Sequence, residues 1–460
     1  MNRSGLLTLL TLSLSACPSG PDADGGTGGG LGGGAGGGTG LSPFVISELD
    51  GTARDTLDFA ATFDATAERV GVAYFTPAGT FSHVGLDGGN GVPDYHLKYV
   101  EWNQGTVSTP EVVATVQNLV GVSVAFDPAN GEPLVGFLGG PTDLDVSIFW
   151  FQHNAVLARR TGGTWTETVV AESSSDVDCG NPVSNAGDVV GVFPAMTFTA
   201  DGTFFFAYRD IHNGQFPKQD WEASDVELRE GPGAPPTGAR TCVAQGGDGK
   251  PGWGGHLQMI LGAGGQPAIS HDQMPNAAGT SGRNVAFQER NTDGTWTAPF
   301  ALYTVSNTQS GPSLAWDDQE GYGIAVIDRT ANQLQYLRRP AGSTTWNSPD
   351  PVYGAGSGGW YPSVAMDPTH HEPVIAFYKC SARTGVTDTG CEAREDSLVL
   401  RQRIANEWRE SLVDEAGGYT PKLSFFASGK KVLVYRQPAA LDAQGNHVSN
   451  VGTVKIAVER

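Results

Sequence analysis

The sequence predicts an all-β protein built as a closed ring of seven four-stranded sheets, and three observations support this. The chain of 460 residues contains 64 Gly and 28 Pro but only 17% charged residues, a composition typical of many short strands joined by tight turns. No window of about 11 residues after the N-terminal leader has a helical apolar stripe. One unit, typified by residues 311–346 (GPSLAWDDQEGYGIAVIDRTANQLQYLRRPAGSTTW), occurs seven times. This repeat indicates a seven-bladed β-propeller.

Each unit starts with two apolar strands joined by a turn rich in Asp, Gly, Asn or Pro. The large residues near the end of the first strand are Phe63, Phe126, Phe198, Leu261, Trp316, Met366 and Phe425. Third strands are predicted at residues 96–101, 156–160, 225–229, 284–289, 333–338, 397–403 and 453–459. In four units a short turn follows, and the fourth strand is predicted to open at Trp165, Trp296, Trp346 and Trp408.

The two ends of the repeat array are predicted to meet in one blade. The third strand of the last unit reaches Arg460, which leaves no residues for a fourth strand. Residues 44–49 (FVISEL) precede the first unit and can supply that strand. Such pairing closes the ring and removes two exposed sheet edges.

The first 16 residues have the features of an export signal. Met1-Asn2-Arg3 carries positive charge, and the apolar run at residues 6–14 is too short for a permanent transmembrane helix. Residues 14–17 (LSAC) resemble a bacterial lipobox, which implies cleavage before Cys17 and acylation of that cysteine. An ordinary secretory signal that happens to contain Cys17 is the alternative.

The leader and the repeats divide the chain into three parts. Residues 1–16 are predicted to be the lipoprotein signal peptide, residues 17–41 the lipid-anchored cysteine with a Gly-rich flexible tether, and residues 42–460 the propeller. Several acyl chains on one residue anchor a protein without a transmembrane helix. We therefore expect the protein at the cell envelope, lipid-anchored to the outer membrane, on the periplasmic side or the cell surface.

Four cysteines remain once Cys17 is assigned to the anchor. An even number in an exported protein suggests two disulfides. Cys380 and Cys391 flank a single predicted loop and are expected to pair, which leaves Cys179 with Cys242 by elimination. Zinc binding is not expected, because the sequence contains no CxxC pair.

The formal charge of -21 argues against nucleic acid as a partner, since nucleic-acid binders use Lys and Arg to displace condensed counterions. An acidic surface is interpreted first as a means of staying soluble, with cation binding as the alternative. The segments at residues 87–94 and 143–145 could offer oxygens to Ca²⁺, although neither has EF-hand spacing. The sequence therefore predicts no cofactor and leaves calcium open.

Long links are predicted between second and third strands, for example at residues 76–95, and between blades. They fall on one face of the ring, while the other face has short turns. Elaborated loops on a rigid scaffold commonly carry recognition. The second strands end on this face, in the residues Tyr74, Phe137, Tyr208, Arg209, Asp210, His271, Asp272, Asp328, Arg329, Tyr378, Lys379, Tyr435 and Arg436. Those from Tyr208 onward are predicted to form a pocket for a polar ligand such as a sugar. Two alternatives remain open: hydrogen bonds and salt bridges between neighbouring blades, and loops that merely cover the channel.

The units resemble those of BNR or Asp-box β-propellers, a group that includes bacterial sialidases. Residues 292–296 (TDGTW) keep Asp, Gly, Thr and Trp of the Asp-box with one spacer lost, and residues 162–165 (GGTW) keep less. The resemblance implies that this box is a structural hairpin. It also implies an arginine triad, for which Arg209, Arg329 and Arg436 are possible, but no arginine matches the family's first and no clear Tyr–Glu pair is recognised.

The sequence thus predicts a binding or scaffold module at the cell envelope, with a glycan or an envelope protein as its partner. A sialidase-like glycan hydrolase or a lectin is the alternative. The motifs G-x-S-x-G, H-E-x-x-H and the Walker loop are absent from the sequence, which favours a protein without enzyme activity. His370 and His371 lie in a predicted turn on the plain face and are interpreted as solvated, with a metal site as the alternative.

Overall fold

The computed structural model describes residues 42–54, 58–82, 92–140, 153–172, 179, 189–211, 224–246, 252–274, 284–304, 311–328, 333–353, 358–379, 397–415, 417–437 and 451–460. The signal peptide, Cys17, the Gly-rich tether and the predicted Cys380–Cys391 pair lie outside these residues. Among the residues described, none forms a helix with the length and hydrophobicity that a membrane crossing requires.

The described residues form an all-β ring of seven blades, as predicted. Their strands are β1 (Phe44–Arg54), β2 (Ala60–Asp64), β3 (Arg69–Ser82), β4 (Val92–Asn103), β5 (Thr106–Val107), β6 (Glu111–Val116), β7 (Val122–Phe126), β8 (Pro133–Gly139), β9 (Asn154–Thr161), β10 (Thr164–Ala171), β11 (Val189–Phe198), β12 (Thr203–Ile211), β13 (Ser224–Pro232), β14 (Arg240–Ala244) and β15 (Gly252–Leu261). After a 3₁₀ turn at Ala263–Gly265 come β16 (Pro267–Met274), β17 (Asn284–Glu289), β18 (Phe300–Thr304), β19 (Ser313–Asp317), β20 (Gly321–Asp328), β21 (Gln333–Arg339), β22 (Asp350–Pro351), β23 (Gly358–Met366), β24 (Pro373–Lys379), β25 (Ser397–Ile404), β26 (Glu407–Asp414), β27 (Tyr419–Phe425), β28 (Lys431–Gln437) and β29 (Val451–Glu459).

The first strands of the seven blades are β2, β7, β11, β15, β19, β23 and β27. Each contacts the first strand of the next blade, and β27 contacts β2, so these strands form the closed inner wall of the ring. The strand β1 pairs antiparallel with β29, with Val45 opposite Val458 and Ser47 opposite Ile456. The prediction that the N-terminal strand completes the last blade is therefore confirmed.

An apolar cluster fills each of the seven spaces between neighbouring blades in the described structure. Second strands supply most of the large, fully buried aromatic rings, such as Phe205 and Phe377. Complete burial of one such side chain stabilises the fold by about 1.5–3 kcal/mol. Because every blade packs against two others, the stability of the ring depends on all seven interfaces.

The fourth strands differ from the prediction in two blades. Trp165 and Trp408 lie at the start of β10 and β26, as expected. Trp296 makes only an isolated bridge with Arg290, and the fourth strand of that blade begins at Phe300. In the next blade the fourth strand is only Asp350–Pro351, beyond Trp346. The reason is Pro299, Pro349 and Pro351, since proline lacks the N–H that a sheet ladder requires.

The Asp-box-like turn is held by its own side chains. Asp293 accepts hydrogen bonds from the Thr295 N–H at 2.9 Å and from its hydroxyl at 2.6 Å. These bonds lower the pKa of the exposed Asp293 carboxyl. The arrangement is that of a structural hairpin.

Two of the predicted features that involve links between strands fall on described residues. Residues 76–95 were expected to form a long link, but β3 continues to Ser82 and β4 starts at Val92, so much of the link is a paired hairpin. Thr80 donates to Asp94 across this hairpin at 2.9 Å. The predicted Cys179–Cys242 disulfide is present and ties a link between two blades to strand β14.

Candidate functional site

Most of the predicted ligand residues are buried. Tyr208, Asp210, His271, Asp272 and Tyr435 have no exposed surface. Tyr378, Arg436, Arg209 and Asp328 are buried as well, at 2%, 3%, 5% and 9% exposure. Lys379 is the most exposed of the set, and Arg329 lies outside the described residues. Ligand binding by these side chains stays a prediction.

Several of these side chains join one blade to the next. The Arg209 Nε donates to Ser224 Oγ at 3.0 Å, and that hydroxyl donates to the Trp253 carbonyl of the following blade at 2.8 Å. The Tyr435 hydroxyl donates to Asp414 of the preceding blade at 2.6 Å. These contacts are hydrogen bonds between neighbouring blades, which the sequence analysis gave as an alternative to a ligand pocket.

The same arrangement recurs around the ring. The Tyr74 hydroxyl donates to Asp50 of β1 at 2.5 Å, and the Tyr303 hydroxyl donates to Asp328 of the next blade at 2.9 Å. Burial raises the pKa of Tyr303 to about 12, helped by the Asp328 carboxylate. At neutral pH these phenols stay protonated and donate hydrogen bonds, which link neighbouring blades.

A second set of residues, missed by the sequence analysis, lies on the inner wall. In six of the seven blades one residue has a positive φ, either within the first strand or just before it. Regular pairing of the first strand with the second strand begins after this residue. The residues and φ values are Gly121 (81°), Phe193 (50°), His256 (49°), Gly311 (79°), Tyr361 (55°) and Thr420 (47°). Positive φ is a strained conformation for aromatic and β-branched residues, and such strain often marks functional sites.

These residues contact one another from blade to blade. A Cβ on Gly121 would lie 2.6 Å from Phe193 Cα, and a Cβ on Gly311 would lie 2.3 Å from His256 Cβ. The rings of Phe193 and His256 are 4.5 Å apart. The Tyr361 ring lies 5.7 Å from that of Tyr419 in the next blade.

The first blade contributes Asp58, just before β2, and the last blade contributes Lys422. The ammonium of Lys422 lies 5.6 Å from the centre of the Phe59 ring. We call Asp58, Gly121, Phe193, His256, Gly311, Tyr361, Thr420 and Lys422 the axial ring. It lies at the starts of the first strands, on the face where the second strands end.

Hydrogen bonds between neighbouring first strands support the axial ring. Backbone N–H groups donate to side chains of the preceding blade: Leu314 to Gln258 at 2.6 Å, Val364 to Ser313 at 3.0 Å and Leu423 to Ser363 at 2.9 Å. Lys422 occupies the equivalent position in the last blade, two residues after the positive-φ residue. The structural acceptor of these three blades is therefore replaced by a cation in the last blade, where the ring closes.

The electrostatics of the axial ring centre on Asp58. Burial raises the pKa of its carboxyl to about 6, against the attraction of His256 and Lys422 and a hydrogen bond from the Gly121 backbone. Burial lowers the pKa of the Lys422 ammonium, and the Asp58 charge opposes this shift. His256 is fixed by the buried Asp272, whose Oδ2 lies 3.0 Å from Nδ1.

The sequence did contain a signal for the axial ring. Three first strands read G-x-x-P around the kink, in Gly191 to Pro194, Gly359 to Pro362 and Gly418 to Pro421. Gly191 and Gly359 also have positive φ, at 109° and 102°. A recurring Gly two residues before a kinked residue and Pro directly after it predicts a break in regular pairing.

Two groups of metal-ligating residue types occur in the described residues. One contains Cys179, whose sulfur is committed to the disulfide. The other contains Asp317, Asp318 and His371. Its His371 ring has Nδ1 2.8 Å from Asp317 and Nε2 2.8 Å from the Gln319 amide, so both nitrogens link the turns of two neighbouring blades. Of the calcium candidates at residues 87–94 and 143–145, only residues 92–94 are described, and there Asp94 accepts hydrogen bonds from Thr80 and Gln117.

The fold and the axial ring define a seven-bladed β-propeller with strained aromatic and charged side chains at one mouth of its channel. No family model matches the chain, and no curated protein sequence matches it.

Three solved structures illustrate what the chain is similar to. A protein of unknown function from Dyadobacter fermentans is 13% identical over 74% of this chain and 93% of that chain, with a TM-score of 0.44. The NanB sialidase from Streptococcus pneumoniae is 11% identical over 91% of this chain and 71% of that chain, with a TM-score of 0.46. A GH93 α-L-arabinofuranosidase of Fusarium graminearum is 12% identical over 91% and 98%, with a TM-score of 0.43. None of these likenesses bears on what this chain binds.

Proposed function

We propose that this protein is an exported, lipid-anchored β-propeller that acts as a binding module at the cell envelope, with its ligand at the axial ring. One observation carries the proposal: half-buried side chains from separate blades converge on the channel mouth with strained backbones. Phe193, His256 and Tyr361 all have positive φ and partial exposure, whereas Val192 and Trp360 beside them are buried. Packing alone gives no reason for strained aromatics to face the channel.

The export part of the proposal rests on the leader and on one structural feature. The LSAC segment ending at Cys17 supplies the lipidation signal, and the Gly-rich residues 18–41 supply a tether. The Cys179–Cys242 disulfide supports an oxidising compartment, because such bonds seldom persist in a reducing cytosol.

The ligand site can be tested with the full chain carrying Cys17→Ser, exported but free of acyl chains, by thermal shift and on a glycan array. Tyr361→Ala and His256→Ala should remove binding. His96→Ala, on the third strand β4, and Tyr353→Ala, just after the fourth strand β22, are matched controls away from the axial ring and should retain it. Equal binding by all four variants would refute the axial ring as the site.

The anchor has its own test. Metabolic palmitate labelling of the wild-type protein should disappear in Cys17→Ser. Label that persists in this variant would reject the lipid anchor without affecting the proposed ligand site.

The hydrolase alternative differs from the proposal in a measurable way. The Arg209 guanidinium is bonded to Ser224, and that of Arg436 lies over the Tyr419 ring at 5.1 Å, so two of the three triad candidates are engaged in the fold. A binding module should not turn over a fluorogenic sialoside. Hydrolysis that survives repurification would favour the enzyme instead.

A further inference from the structure

We propose that the axial ring takes a neutral polyhydroxyl ligand, a sugar residue without a charged group. The inference rests on the proposed function, because it specifies the ligand of that same site. Three features of the molecule support it: the hydrogen-bonding capacity of the ring, the pairing of the nearby cations and the two aromatic side chains.

The polar groups of the axial ring include both acceptors and donors. Asp58 offers a carboxylate, which acts only as an acceptor when ionised, and one of its hydrogen bonds comes from the Gly121 N–H. His256 places Nδ1 against the Asp272 carboxylate, so in the neutral imidazole Nε2 is the acceptor. Lys422 offers only donors.

A hydroxyl group is the ligand chemistry that satisfies this mixture, since it donates one hydrogen bond and accepts others. An anion offers acceptors alone and would face the Asp58 carboxylate. A cation offers donors alone and would face the Lys422 ammonium. Neighbouring hydroxyls on one sugar ring can bond to Asp58 and Lys422 at the same time.

Among the described residues, the arginines near the ends of the second strands are held by partners in the fold, since Arg209 donates to Ser224 and Arg436 lies over the Tyr419 ring. Two further cations near this face are matched to carboxylates. The Arg240 guanidinium lies 2.9 Å from Glu227, and the Lys379 ammonium lies 2.7 Å from Glu410. Among the described residues of the axial ring, Lys422 carries an ammonium group whose pKa burial lowers, and the Asp58 carboxylate opposes that shift. The ring therefore presents little net positive charge to a carboxylate or phosphate.

Two aromatic side chains of the axial ring come from distant blades. Phe193 packs on an apolar cluster that contains Val192 and Ile211, and Tyr361 packs on one that contains Trp360 and Tyr378. Each keeps part of its ring exposed. An aromatic face covers the apolar C–H face of a sugar while the polar groups bind its hydroxyls. This combination favours a sugar residue over a small polar molecule without such a face.

The test compares neutral and charged probes on one surface. The full-length Cys17→Ser protein is applied to immobilised oligosaccharides ending in neutral hexoses, in sialic acid, in a uronic acid or in an unacetylated amino sugar. We expect binding to at least one neutral probe, with affinity reduced about tenfold to hundredfold by Asp58→Asn. Asp64→Asn, at the other end of β2, is the matched control and should leave affinity unchanged.

The outcomes separate the ligand class from the site. Binding restricted to charged probes, still weakened by Asp58→Asn and Tyr361→Ala, would keep the axial ring and overturn the neutral ligand. Neutral probes bound equally well by Asp58→Asn, Tyr361→Ala and wild type would overturn the site and the inference together. Absence of binding to every neutral probe, with circular dichroism confirming a folded protein, would also overturn the inference.

Discussion

Gly121→Ala is expected to destabilise the protein by about 2–5 kcal/mol, in two separable parts. The backbone at Gly121 has φ of 81°, which costs an L-residue about 1–2 kcal/mol. The new Cβ would lie 2.6 Å from the Cα and 2.7 Å from the N of Phe193. These are backbone atoms that cannot rotate away, so the neighbouring strand must shift at a further cost of about 1–3 kcal/mol.

The control is Gly202→Ala, because Gly202 has nearly the same φ, 85°, and nothing lies within 4 Å of the position that its Cβ would take. Its cost should be the conformational part alone, about 1–2 kcal/mol. Urea unfolding followed by tryptophan fluorescence gives both free energies, provided that the m-values agree. Equal losses in the two variants would show that the close approach of the blades at the axial ring is wrong. A larger loss in Gly121→Ala should also weaken ligand binding, since Phe193 moves.

Three further predictions concern the disulfide and two titrating groups. Cys179→Ala with Cys242→Ala should lower the free energy of unfolding by about 4 kcal/mol, because the bond spans 63 residues; an unchanged urea midpoint would contradict this. The folded state binds the Asp58 proton more tightly than the unfolded chain, with a pKa of about 6 against the usual 3.8. Stability should therefore fall by up to ~3 kcal/mol as the pH rises through this window, and Asp58→Asn should flatten that part of the curve. The hydrogen bond to Asp317 raises the pKa of His371 above 6.5, so stability from this contact is present below 6.5 and lost as the pH rises through the folded value. Thermal melts of His371→Asn at a series of pH values should lack this loss of stability. A loss that persists in the variant would show that another group causes it.

The strands could be predicted because their signals are local. Alternating apolar residues and Gly- or Asp-containing turns lie within each unit, and the third strand predicted at residues 284–289 is observed at those residues. The fourth strands predicted at Trp296 and Trp346 were wrong because those predictions rested on the tryptophans and left out the prolines that follow them. Proline removes a ladder donor whatever the neighbouring pattern suggests.

The pocket residues were harder to predict, since their environment depends on another blade. Asp210 and Tyr435 lie near the ends of second strands, on the face that carries the long links. Polar side chains would be expected to reach solvent there. Both are fully buried, and the Tyr435 hydroxyl meets Asp414, which lies 21 residues earlier in the chain. Nothing near Tyr435 in the sequence identifies that partner. The positive φ of Thr420 is not indicated by the residue type, which disfavours it, but only by the flanking Gly418 and Pro421.

The axial ring shows where a repeat protein can encode function. Gln258, Ser313 and Ser363 repeat one structural bond from blade to blade, and such a bond needs no ligand to explain it. Lys422 breaks the series where the last blade meets the first, and Asp58 stands on the other side of that junction. A cation and a carboxylate at the mouth of the channel are costly for a ring that only has to close, because both lose hydration. Ala195 of the third blade also lacks the acceptor, but it adds no charge. The charged pair at the closing junction, which closure alone does not require, is therefore the feature that points to a ligand.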